Sequence, residues 1–76
     1  MAKGATPVQK LSMALKAAGI AHRDYRAMKQ GFGATAISVN PKAAERIRAR
    51  RIELEAEGLG VVEPDANTVV VNWREQ

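Results

Sequence analysis

No cysteine occurs anywhere in this chain of 76 residues, and that absence narrows what it can fold into more than any other feature. A chain of this size buries only about 60–65% of the surface its unfolded form exposes, so its margin of stability is a few kcal/mol. Neither a disulfide framework nor a Cys-based zinc site is available to widen it. The core must come from aliphatic packing, with self-association as a further source of burial. A hydrophobic content of 46% supports a folded domain over a disordered chain. The expectation is one domain over 6–76 behind a flexible lead-in at 1–5.

The stretch from Met1 to Pro7 has no continuous apolar segment of the kind a signal peptide needs, and no window approaches the length of a membrane span. Cytoplasm is therefore the expected compartment, with no membrane partner. Positive charge is unevenly spread. Residues 1–52 carry eleven Lys and Arg against Asp24 and Glu45, a net of +9. Residues 53–76 carry Arg74 against Glu53, Glu55, Glu57, Glu63, Asp65 and Glu75, a net of −5, and the two sum to +4. A basic side raises the expectation of an acidic protein or a nucleic acid as partner.

Two cap-plus-proline signatures divide the chain. Thr6-Pro7-Val8-Gln9 predicts a helix over 7–18, with Thr6 as cap and Gln9 closing a capping box. Val8, Leu11, Leu15 and Ala18 recur at helical spacing, and Gly19 sits where a left-handed turn stops a helix, with Ile20 folding back on Leu15. Asn40-Pro41 predicts a second helix running to Glu57. Its Ala43, Ala44, Ile47 and Leu54 share one face with Arg51 intruding, while Ala49, Ile52 and Ala56 lie nearly opposite.

Between the helices, 23–28 and 34–39 are expected to pair as antiparallel strands around the loop Lys29-Gln30-Gly31-Phe32-Gly33, the first strand at an edge. After the second helix, Val61-Val62-Glu63 and Thr68–Trp73 are β-branched runs joined by the turn Pro64-Asp65-Ala66-Asn67. Val69, Val71 and Trp73 face one way. The order αββαββ implies an α+β fold, a four-stranded mostly antiparallel sheet with two helices on one face.

Catalytic chemistry finds little to work with. His22 is the one histidine, with Asp24 two residues on, and no cysteine exists to serve as nucleophile. Ser12 falls in a helix and Ser38 in a strand, neither in a nucleophile turn. Glu53, Glu55 and Glu57 read as a solvated helix face, since two carboxylates without a histidine make a poor transition-metal site. No cofactor, metal or catalytic residue is expected.

The second helix is more informative. Lys42, Arg46, Arg48, Arg50 and Arg51 fill its start and the glutamates its end, the reverse of what the helix dipole favours. Arg51–Glu55 and Arg50–Glu53 pairs offset part of that cost. The other candidate is the loop, where Phe32 either caps the core or stands ready to stack on a partner, flanked by Arg23, Arg26 and Lys29. Gly31-Phe32-Gly33 after Lys29 resembles the start of the aromatic RNA-binding motif of RRM domains over three or four residues. Ala34 stands where the next aromatic belongs, and the element order differs, so nothing is carried over. In its short, Ala/Arg/Glu/Val-rich style the chain resembles accessory proteins of phages and mobile elements.

The expected function is a non-catalytic protein-binding module of inhibitor or adaptor type with a mixed apolar and basic surface. Arg23, Arg26, Lys29, Phe32, Arg46, Arg48, Arg50, Arg51 and Ile52 are the candidate contacts. A basic nucleic-acid- or nucleoprotein-binding module is the alternative, and a small enzyme or metal protein a distant third. An edge strand and the Ala49/Ile52/Ala56 face would also suit a homodimer.

Overall fold

The helix expected after Thr6 is present in the computed structural model, which describes residues 6–74; the lead-in at 1–5 lies outside the described residues. Helix α1 spans Pro7–Ala17. The Thr6 hydroxyl accepts the Gln9 N–H at 3.2 Å and Gln9 Oε1 accepts the Thr6 N–H at 3.0 Å, a reciprocal capping box. At the other end Gly19, at φ +90°, and Ile20 donate to the carbonyls of Lys16 and Leu15, the paired bonds of a Schellman stop that a left-handed glycine permits. Helix α2 spans Pro41–Ala49, and its cap, the Asn40 side chain, accepts the Ala43 N–H at 2.7 Å.

The strands are β1 (Tyr25–Gln30), β2 (Gly33–Ser38), β3 (Gly60–Asp65) and β4 (Thr68–Arg74), all antiparallel in the order β1-β2-β4-β3. This is the α+β architecture that the element order implied. Tyr25, Ala34, Ala36, Val69 and Val71 project from one sheet face into a core shared with Leu11, Leu15, Ile47 and Leu54. The small residues of β2 let α1 approach the sheet, and the valines of β4 fill the remaining volume. Trp73 is half-buried at the core margin, with Lys10 Nζ 5.3 Å from its ring centre. The other sheet face carries Arg26, Met28, Thr35, Ile37, Val70 and Asn72, and none of the described helices covers it.

Several boundaries differ from the sequence expectation. The first hairpin closes over a two-residue turn, Gly31-Phe32, with Lys29 and Gln30 paired in β1. Gly31 has φ +58° and Phe32 does not have positive φ. That is the pattern of a type II′ turn, whose twist matches the flanking strands and lets pairing continue up to it. Arg23 and Asp24 are consequently outside the strand, in a 3₁₀ turn over His22–Asp24.

The long second helix is two. It breaks at Arg50 (φ −106°, ψ 19°) into α2 and α3 (Arg51–Ala56). In a straight helix Arg50 and Arg51 would lie between Ile47 and Leu54 on the buried face. The break keeps Ile47 and Leu54 fully buried and leaves both arginines exposed. It also lets α2 lie over β2 and β4 while α3 follows β3. Finally, Pro64 and Asp65 belong to β3, not to the turn, and a bulge falls between Val62 and Asp65.

Gly33 lies against the backbone of β4, opposite Arg74. A Cβ there would run into the Trp73 carbonyl oxygen and lie 3.2 Å from the Arg74 Cα, both backbone atoms that cannot swing aside. Gly33→Ala is expected to lose about 1–3 kcal/mol in urea denaturation. Gly60→Ala, with nothing within 4 Å of its Cβ, should stay within about 0.5 kcal/mol of the parent.

Candidate functional site

The nine candidate contacts fall into two groups with different fates. Arg46, Arg48, Arg50 and Arg51 are all engaged with acids of the same chain. Arg46 meets Asp24 at 2.7 Å, reaching from α2 to the 3₁₀ turn. Arg48 meets Glu63 of β3 at 2.8 Å and also donates to the Ala66 carbonyl at 3.0 Å. Arg51 bridges Glu55 at 3.1 Å and Glu63 at 3.3 Å, and Arg50 lies 3.8 Å from Glu53. Two of these pairs follow from helical spacing. The other three join segments far apart in sequence, and they explain the reversed charge order of the helix: its arginines answer acids on neighbouring elements.

The charge balance follows directly. Asp24, Glu53, Glu55 and Glu63 offset the four arginines one for one. Among the described residues this leaves Lys10, Lys16, Arg23, Arg26, Lys29, Lys42 and Arg74 outside any ion pair, against Glu45, Glu57 and Asp65. Seven minus three restores the +4. The excess therefore does not sit on the arginine-rich helix.

Four of these seven cations, Arg23, Arg26, Lys29 and Arg74, lie along β1 or beside its turn. Arg23 lies in the 3₁₀ turn, Arg26 and Lys29 lie along the strand, and all three are exposed. Phe32 is at the tip of the turn with 89% of its surface exposed, so it does not cap the core. Arg74 joins them from the end of β4, since β2–β4 pairing sets it opposite Gly33. Gln30, Phe32, Gly33 and Arg74 line one hollow; Arg26, Met28, Ile37 and Val39 line another on the open sheet face. On the helix side a groove of about 410 Å³ opens beside Tyr25, walled by Met13, Lys16, Ile20 and His22. Met13 and Met28 are 65% and 41% exposed. The surface is thus apolar and basic together, as Met, Phe and cations interleave along one edge.

Sequence reasoning placed Arg23, Arg26, Lys29 and Phe32 in this group and missed Arg74, Met13 and Met28. The signal for Arg74 lay in the alternation of β4. If Val69, Val71 and Trp73 face the core, then Val70, Asn72 and Arg74 face away. Ile52 is 80% exposed on α3, remote in the sheet order from β1, and the break at Arg50 puts Ala49 on a different helix from Ile52 and Ala56.

Polar groups at the sheet centre are internally satisfied. The Thr35 hydroxyl lies 2.9 Å from both Gln30 Oε1 and Asn72 Oδ1. A hydroxyl has one proton, so one of these amides must present its NH₂ to Thr35. Among the described residues no carboxylate is hydrogen-bonded to His22, and Asp24 is engaged by Arg46; the His22 ring meets Tyr25 edge-on with centroids 5.6 Å apart. Among the described residues no three His, Asp or Glu side chains gather as a metal site would require. None of the described helices is long and apolar enough to cross a membrane.

The two kinds of arginine should separate on mutation. Arg46→Ala strands the buried Asp24 carboxylate and is expected to cost about 1–3 kcal/mol in thermal or urea unfolding. Arg50→Ala removes an exposed helical pair and a guanidinium lying over Gly19, leaves no buried charge stranded, and should change stability by less than about 0.5 kcal/mol. Compared with protein-family models, curated proteins and solved structures, the chain matches none.

Proposed function

We propose that this chain is a non-catalytic protein-binding module, of inhibitor or adaptor type, that docks an acidic protein surface on the limb running from Arg23 to Phe32 with Arg74 beside it. The observation that carries it is the internal neutralisation of Arg46, Arg48, Arg50 and Arg51. Once these are set aside, unpaired cations and exposed Met28 and Phe32 coincide on one edge of the molecule. Charge there steers a partner of opposite sign and sets register, while the apolar side chains supply area to bury. A chain without cysteine suits a reducing cytoplasmic setting.

A nucleic-acid partner is favoured by one observation, the exposure of Phe32 beside Lys29 and Arg74. The central strands weigh against it. Binding of single strands relies on aromatic side chains spaced along a face for successive bases. Here the open face presents Thr35, Ile37, Val70 and Asn72 at its centre, and Phe32 stands alone at the turn.

Two titrations discriminate. Against generic single-stranded DNA and RNA, the protein-binding reading expects no saturable binding at physiological ionic strength; micromolar affinity that falls steeply with salt would favour the nucleic-acid reading. Against poly-L-glutamate, amide shifts should concentrate over 23–32 and at Arg74. The double change Arg26→Glu with Lys29→Glu should weaken binding by about tenfold or more. Ile52→Asp should leave it unchanged, and a loss there would move the site to α3.

A further inference from the structure

The two edges of the sheet are built differently. Edge β3 carries Pro64, a bulge between Val62 and Asp65, and acids of which Glu63 is held by Arg48 and Arg51. These are devices that keep another strand from pairing. Edge β1 has neither proline nor bulge, and its register with β2 is unbroken from Tyr25 to Gln30.

Which backbone groups β1 turns outward follows from the ladder. The two-residue turn closes on Gln30 and Gly33 as a hydrogen-bonded pair, and the Val39 N–H donating to the Asp24 carbonyl at 3.1 Å keeps the same phase at the far end. Antiparallel ladders alternate; Arg26, Met28 and Gln30 are therefore bonded to β2, while Tyr25, Ala27 and Lys29 direct N–H and C=O away from it. No described segment pairs with that side.

We propose that β1 is a strand-addition site, at which an extended acidic segment of the partner protein lies antiparallel to β1 and bonds to the outward groups of Tyr25, Ala27 and Lys29. This rests on the protein-binding reading and adds its mode and the partner's pattern. Arg26 and Lys29 are three apart on a strand and so face opposite sides of the sheet. The added segment needs an acid opposite each, an apolar residue opposite Met28, and an apolar residue opposite Tyr25, beside the groove walled by Met13 and Ile20. A second copy of β1 fits poorly, because it would bring Arg23, Arg26 and Lys29 of both strands together while the one acid nearby, Asp24, is already engaged by Arg46. Strand addition of this type draws affinity from main-chain bonds and specificity from alternate side chains.

The probe is the peptide acetyl-Thr-Glu-Val-Val-Glu-Leu-Thr-amide, titrated into isotope-labelled protein with amide hydrogen exchange as the readout. Exchange at Tyr25, Ala27 and Lys29 should slow on binding, and the analogue with both Glu replaced by Lys should not bind. Ala27→Pro removes an outward N–H and no bond to β2, so it should retain the fold and lose the peptide. Met28→Pro, which breaks the ladder itself, should destabilise the sheet. If the peptide binds in a manner sensitive to Arg26→Glu but these three amides exchange as before, strand addition is overturned and the protein-binding reading stands. If the peptide does not bind while oligouridine does, both fall. The exchange readout on the unmodified chain decides the matter even if Ala27→Pro fails to fold.

Discussion

The pairing of β2 with β4 in the centre of the sheet is the contact on which the rest of the molecule depends. It joins residues nearly forty apart in sequence, with Ala34 opposite Trp73 and Ala36 opposite Val71. It needs Gly33, because no side chain fits against the Trp73 carbonyl. Once β4 lies beside β2, its hairpin partner β3 must be the far edge, and β1 is left as the near one. Arg74 arrives next to the Phe32 turn by the same register, and Glu63 arrives beneath α2 and α3. The composition of each face follows as well, since Val69 and Val71 can be buried only if Val70, Asn72 and Arg74 are turned outward.

Edge positions for β1 and β3 also make sense of residues that local propensity leaves unexplained. Proline cannot serve a central ladder, so Pro64 confines β3 to an edge. Lys29 of β1 shares the face of Ala34 and would be costly at a central position beneath the helices. The least polar runs, in β2 and β4, take the middle. With a core limited to aliphatic side chains and Tyr25, placing the best-packed strands centrally and under both α1 and α2 is the arrangement that buries most of them.

Much of the fold was legible in the chain, because its punctuation is local chemistry. The capping box at Thr6 and Gln9, the Asn40 cap and the glycine stop after Ala18 depend on a few adjacent residues, and each formed as expected. The boundary at Gly31-Phe32 was less legible, since a five-residue loop and a two-residue turn with longer strands use the same glycines. The break at Arg50 was foreshadowed by Arg51 on the apolar face of the second helix. A straight helix would have buried a guanidinium, and bending costs less than that.

The candidate site divides along the same line. Arg23, Arg26, Lys29 and Phe32 could be grouped from sequence because they lie on one strand, the 3₁₀ turn that leads into it and the turn that ends it, where spacing alone sets neighbours. So could Arg50–Glu53 and Arg51–Glu55, which one helix turn brings together. The pairs Arg46–Asp24, Arg48–Glu63 and Arg51–Glu63 could not, because each spans elements whose adjacency is set by packing. They decide which cations are spent inside the fold and which face outward. The amino-acid sequence by itself determined a small aliphatic-cored α+β chain with a basic excess. Only the tertiary structure decided where that excess lies, because electrostatic neutralisation acts through distances in space and short-range spacing reports distances along a single element.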